Sequence, residues 1–190
     1  MAATLATGQS MPLVGLGTWQ ATGPGIVEAA IGTALEAGYR HIDCAAAYGN
    51  ETECGTAFTK AFASGVCSRD EVFITSKLWN SEHAPEHVRP AIEQTLRELQ
   101  LESLDLYLIH WPQAFQHVDG STHSFPRDAE NNIIYDLDST LIETWAAMEK
   151  LVAAGLTKSI GLSNFNEAQI QTILDNSTIK VHFVLSCRAR

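Results

Sequence analysis

The chain has 190 residues, 45% of them hydrophobic, with 12 Lys and Arg against 22 Asp and Glu, a formal net charge of -10. That is enough apolar material for one sizeable core, and the acidic balance argues against nucleic acid or an anionic membrane surface as the main partner. No stretch approaches the roughly 20 apolar residues of a membrane span, and Met1-Ala2-Ala3-Thr4 lacks the basic and apolar segments of a signal peptide.

In chain order, a hairpin is expected around Gly8-Gln9, then a first strand over Met11–Thr18. A helix follows over Ile26–Ala37, stopped by Gly38. The next elements are a strand at Arg40–Ala45, a helix at Asn50–Ala63, a strand at Glu71–Leu78 and a helix at Pro85–Glu98 with its proline in the first turn. A fourth strand covers Ser103–Ile109. Trp111 to Tyr135 then reads as a long irregular stretch, and loops of that length in compact domains usually serve as lids or binding loops. Asp138–Ala154 is expected to be a helix capped by Asp138 or Ser139 and ended by Gly155. Leu156–Leu162 is a fifth strand, Glu167–Leu174 a fifth helix and Ile179–Leu185 a sixth strand.

Strands alternating with helices predict an α/β fold with a parallel sheet. Gly15-Leu16-Gly17 is followed by Thr18-Trp19 and lacks a third glycine, which argues against a Rossmann dinucleotide site. A (β/α)₈ barrel fits better, although that fold takes about 250 residues and only five to six of its eight units are expected here. The whole chain is read as one barrel domain.

In such a barrel the active site gathers at the carboxyl ends of the strands. Asp43 follows Tyr39-Arg40-His41-Ile42, Tyr48 lies shortly after it, Lys77 closes Val72-Phe73-Ile74-Thr75-Ser76, and His110 closes Leu104-Asp105-Leu106-Tyr107-Leu108-Ile109. A tyrosine with a pKa of about 10 is a poor acid at neutral pH, and an adjacent ammonium lowers it. Lys77 is placed to supply that charge, Asp43 to hold the lysine, and His110 to hydrogen-bond a substrate oxygen. The set suits protonation of an alkoxide forming as hydride adds to a carbonyl, the hydride coming from a cofactor. Trp19, Trp79 and Trp111 follow three of the strands and would wall an apolar pocket. Taken singly, each residue has a plainer explanation. Asp43 suits a turn or cap, Tyr48 the edge of a core, Lys77 a solvated charge, His110 a buried structural role and the tryptophans core packing.

Cys44, Cys54, Cys67 and Cys187 form no C-x-x-C pair and are expected to be free thiols in a reducing compartment. A metal site using His110, His117 and His123 lacks ligand spacing, so no metal is expected.

The run Gly38-Tyr39-Arg40-His41-Ile42-Asp43-Cys44-Ala45-Ala46-Ala47-Tyr48-Gly49-Asn50-Glu51 resembles the first signature of the aldo-keto reductases. Ser76-Lys77-Leu78-Trp79, Leu106-Tyr107-Leu108-Ile109-His110-Trp111-Pro112, Lys158-Ser159-Ile160-Gly161-Leu162-Ser163-Asn164-Phe165 and the opening Met11–Trp19 agree in type and order. The resemblance covers about residues 4 to 180. It implies a (β/α)₈ barrel and NADPH-dependent reduction of aldehydes and ketones, small-molecule carbonyls, by a protein that is usually cytoplasmic and monomeric at full length. By position it makes Tyr48 the proton donor, Lys77 and Asp43 its tuning pair and His110 the carbonyl-orienting residue. Ser163 and Asn164 match residues that hold the nicotinamide carboxamide, and Thr18 and Asp43 match contacts near its ribose. Trp19, Ala47, Trp79, His110 and Trp111 match the substrate pocket.

The family pattern departs after about Lys180, where the chain reads Val181 to Arg190 without the glutamine expected in the sixth strand. The seventh and eighth strands, the adenosine 2′-phosphate site and the C-terminal loop are not in this sequence, as a splice product, a frameshifted gene or a fragment would read. A catalytically inactive truncated isoform acting as an interaction or regulatory protein is the alternative to an active reductase. Two open strand edges leave backbone groups unpaired, and each buried orphan costs about 1–3 kcal/mol against a stability of about 5–15. The isolated chain is therefore expected to be unstable and to bind NADPH weakly; tight binding by a monomer would contradict this.

Overall fold

The computed structural model describes residues 1–21, 23–121 and 123–185. A hairpin of β1 (Ala2–Thr4) and β2 (Ser10–Pro12) opens the chain, with Ala3 opposite Met11. The remaining strands are β3 (Leu16–Gly17), β4 (His41–Asp43), β5 (Phe73–Leu78), β6 (Leu104–Ile109), β7 (Thr157–Ser163) and β8 (Phe183–Leu185). They form one six-stranded sheet, parallel throughout and in sequence order. The helices between them are α1 (Ile26–Glu36), α2 (Glu51–Ala63), α3 (Pro85–Leu99), α4 (Leu141–Ala153) and α5 (Glu167–Asn176). This is the expected α/β barrel in incomplete form, a curled sheet with helices on its outer face. No helix among the described residues is long and apolar enough to cross a membrane.

A strand places alternate side chains on opposite faces, and here the alternation assigns each residue to one of two layers. Ile42, Ile74, Leu78, Tyr107, Ile109, Ile160 and Leu162 pack outward with Ile31, Phe58, Ile92, Trp145 and Met148 of the helices. The opposite parity faces the interior. Phe73, Leu106 and Leu108 pack there with Leu5 and Met11 of the hairpin. Both faces of β5 and β6 are buried along their whole length, as expected of a parallel sheet covered on both sides. The interior parity also carries Asp43, Lys77 and Ser163, which lie at or next to the carboxyl ends of their strands.

The amino end of the sheet is closed by the hairpin and by Asp105. Its carboxylate accepts from Gln9 Nε2 and from the Ile74 amide, both at 2.9 Å. It is also paired with Arg69 and Lys158, each at 2.8 Å.

Several boundaries differ from the sequence expectation. The first predicted strand divides into β2, which ends at Pro12, and β3; the Pro12 carbonyl meets His41 Nδ1 at 3.0 Å. Gly38, at φ 92, takes the left-handed turn after α1. The cap of α4 is Thr140, not Asp138 or Ser139. Thr140 and Glu143 form a reciprocal capping box, while the Asp138 and Ser139 amides donate to Asp136. The sixth strand is confined to Phe183–Leu185. Cys44, Cys54 and Cys67 are free and buried; Cys187 lies outside the described residues.

α2 and α3 approach so closely that a Cβ on Gly55 would stand 2.2 Å from the Glu98 carbonyl oxygen. Backbone atoms cannot yield as a flexible side chain can. We expect G55A to lower the unfolding free energy by about 1–3 kcal/mol, the usual cost of overpacking, read as a reduced urea midpoint.

Candidate active site

The carboxyl ends of the strands surround a cleft of about 480 Å³, within the range of small-molecule sites. Its polar groups are Asp43, Tyr48, Lys77, His110, Ser163 and Asn164. Trp19, Ala47, Trp79, Trp111, Phe125 and Leu185 supply the apolar wall. The side chains predicted from sequence thus meet in one place, except Thr18, which lies just behind it. Thr18 is buried, and its hydroxyl donates to the Asp43 carbonyl at 3.1 Å.

Lys77 is the centre of the polar cluster. Its side chain is 1% exposed, so its charge requires compensation. Nζ donates to both Asp43 carboxylate oxygens at 2.8 Å, to the Cys44 carbonyl at 2.9 Å and to Tyr48 Oη at 3.3 Å. Burial opposes the lysine charge, but the Asp43 carboxylate and the Tyr48 oxygen outweigh it, and the Lys77 pKa is raised. Tyr48 sits on the short helical turn Ala46–Tyr48 after β4. The sequence reading expected Lys77 to lower its pKa. Lys77 does pull that way, but burial is the larger effect and the Tyr48 pKa ends above its ordinary value. The phenol therefore holds its proton, and because Lys77 donates to Oη, that O–H is left to donate elsewhere.

His110 follows β6 and is mostly buried. Its ring meets Trp79 edge-on at 5.2 Å and Tyr48 at 5.7 Å. Burial, then the Lys77 charge, push its pKa down to about 3. The imidazole is neutral at physiological pH and carries one N–H. Asn164, at φ 65, donates from Nδ2 to the His110 carbonyl at 2.9 Å and to Ser163 Oγ at 3.0 Å. The carboxyl ends of β6 and β7 are thereby tied together at the floor of the cleft.

The long loop folds over the aromatic wall. Trp79 Nε1 donates to the Ser124 carbonyl at 2.9 Å, and Phe125 packs 4.8 Å from the Trp79 ring. Trp19 and Trp111 remain 64% and 40% exposed, and apolar surface left open beside polar groups marks a binding cleft.

Three contributors were not singled out by sequence reasoning. Phe125 lies inside the long loop expected to serve as a lid or binding loop, and Leu185 closes a predicted strand at its carboxyl end. Glu51 stood in the first signature without a role. It is 1% exposed at the start of α2, accepting from Ser76 Oγ at 2.5 Å and from Thr95 Oγ1 at 2.9 Å.

Residues 13–186 match the aldo/keto reductase family. The chain belongs to that family. It is 54% identical over 177 residues to aldo-keto reductase family 1 member A1 of Mus musculus and 53% identical to that of Homo sapiens. Each match takes in 93% of this chain and 53% of the relative. The aldose reductase from Schistosoma japonicum superposes with a TM-score of 0.93 at 49% identity, covering 98% of this chain and 60% of that one. The chain thus spans about half the length of the family relatives it matches.

Glu51 generates a pH prediction. Burial raises its pKa from 4.5 to about 7 against the pull of Ser76 and Thr95. The folded state then binds more protons than the unfolded chain, so this group's contribution is complete below about 4.5 and is lost as pH rises through about 7. His83 and His110, depressed to about 4 and about 3, contribute with the opposite slope, since their neutral forms are favoured on folding. The difference between wild type and E51Q isolates Glu51. Urea unfolding across this range should show the wild-type advantage shrinking as pH rises; a flat difference would contradict it.

Proposed function

We propose that this site serves the reduction of aldehyde and ketone carbonyls to alcohols with NADPH, Tyr48 being the proton donor. One observation carries the reading. Lys77, charged and held by Asp43, donates to the oxygen of a protonated tyrosine at the mouth of an aromatic cleft, 3.3 Å away. A neutral histidine stands beside it.

The cleft suits a nicotinamide. Its volume, its apolar walls and the polar groups of Asp43, Ser163 and Asn164 in its lining suit a flat ring with a polar edge. Ser163 and Asn164 are the groups proposed to hold the carboxamide, with Thr18 and Asp43 near the ribose. NADPH would supply the hydride, which no side chain can donate. Tyr48 holds the proton that a developing alkoxide needs, and Lys77 stabilises the phenolate left when it departs. Asp43 keeps the ammonium charged through that change. His110, being neutral, donates to the carbonyl oxygen without adding a cation beside Lys77. Trp19, Ala47, Trp79 and Trp111 offer an apolar bed for the rest of the carbonyl compound.

The test is titration of the 190-residue chain with NADPH, followed by tryptophan fluorescence, and turnover of an aromatic aldehyde. Saturable but weak quenching, as expected of a chain without the adenosine 2′-phosphate site, and aldehyde-dependent NADPH consumption are expected. Y48F should keep the quenching and lose turnover by about 10²–10⁴-fold, the usual worth of a general acid. Absence of quenching, or equal turnover in Y48F, would refute the reading.

A further inference from the structure

A second cluster lies on the outer side of the barrel, away from the cleft just described. Glu82 belongs to the short turn Asn80–Glu82 between β5 and α3, His87 to the first turn of α3, and His117 to the long loop. One donor atom from each lies within 4.8 Å of the others. Glu82 is 1% exposed, although carboxylates are seldom buried without a cation or a set of donors. Its partners are Ser81 Oγ, which donates at 2.8 Å, and His117 Nδ1 at 3.2 Å. The His87 and His117 rings stack at 3.7 Å, tilted by only 10°. The three line a cleft of about 400 Å³ that also holds His123.

We propose that Glu82, His87 and His117 form a binding site for a divalent transition-metal ion that pins the long loop to the start of α3. Two imidazoles and a carboxylate are the donor set of zinc rather than of magnesium or calcium, which take oxygen ligands. A tetrahedral zinc ion holds its donors about 3.3 Å apart. Glu82 is anchored in the core, so closure from 4.8 Å falls to the two imidazoles. They must leave their parallel stack and turn a nitrogen inward, which single-bond rotations of a half-buried side chain permit. The fourth position falls to water or to His123, which is exposed on the same cleft. The positive end of α3 disfavours a cation, and Glu82 with Asp119, 3.6 Å from His117 Nε2, supplies the opposing charge.

The consequence reaches the first cleft. The loop that carries His117 also carries Ser124, whose carbonyl accepts from Trp79, and Phe125, which walls the carbonyl pocket. An ion here stiffens that wall without touching the proposed reacting groups. Histidine spacing along the chain predicts no metal, whereas these three groups come from a turn, a helix and a loop that only the fold brings together.

Zinc chloride is titrated calorimetrically into chelator-treated chain at neutral pH, before and after alkylation of its thiols. One saturable site that survives alkylation is expected. H87Q and H117Q should each weaken it by at least about tenfold, since even groups that only orient a metal's ligands are worth about 10–100-fold. Hydrogen exchange on the unsubstituted chain gives a second readout that does not depend on a variant folding: zinc should slow the amides of residues 111–121. No binding, affinity unchanged in both histidine variants, loss on alkylation, or unchanged exchange in that segment would each overturn the proposal.

Discussion

A lysine ammonium buried in the interior of a parallel sheet is the constraint on which the rest of the upper barrel depends. Lys77 is 1% exposed and so is withdrawn from bulk solvent. An isolated buried charge is expensive, and removing one partner of a buried pair costs about 3–5 kcal/mol. Asp43, the Cys44 carbonyl and Tyr48 are therefore structural requirements before they are chemical ones. Lys77 and Asp43 reach each other because β4 and β5 run parallel and adjacent, with Asp43 paired to Thr75. The strand register that satisfies the ammonium also brings the phenol to it.

The two ends of the interior handle charge differently. At the amino end Asp105 is saturated by two cations, a side-chain amide and a backbone amide. Nothing there is left to act. At the carboxyl end compensation is incomplete: Tyr48 receives a hydrogen bond from Lys77, and His110 has a buried Nδ1 with no partner among the described residues. Stability is concentrated at one end, and reactive hydrogen-bonding capacity at the other.

Desolvation dominates the acid–base behaviour of the site. It raises Tyr48 and Glu51, depresses His110, and is overcome only at Lys77, where the Asp43 carboxylate is in direct contact. The result is a cleft whose groups other than the Lys77–Asp43 pair prefer to be neutral. A phenol that stays protonated and a histidine that stays uncharged suit the proposed reaction, in which negative charge would develop on a carbonyl oxygen.

Much of this was legible in the chain itself. Alternation of strands with helices predicted a parallel sheet, and the strand ends located Asp43, Tyr48, Lys77 and His110 on one rim. Ordered motifs around Asp43, Lys77, His110 and Ser163 named the family. What the linear order did not hold was anything that depends on burial or on distant segments meeting. The sign of the Tyr48 shift reversed because the phenol is desolvated in the cleft beside His110, a neighbour far away in the sequence. The helix cap moved to Thr140 because Asp136 captured the Asp138 and Ser139 amides. Glu51, Phe125 and Leu185 became part of the site's surroundings only when helix, loop and last strand were brought to the same rim. Local pattern determined the elements and which residues stand at the strand ends; the tertiary structure decided what those residues met there, because desolvation and charge pairing are properties of neighbours in space.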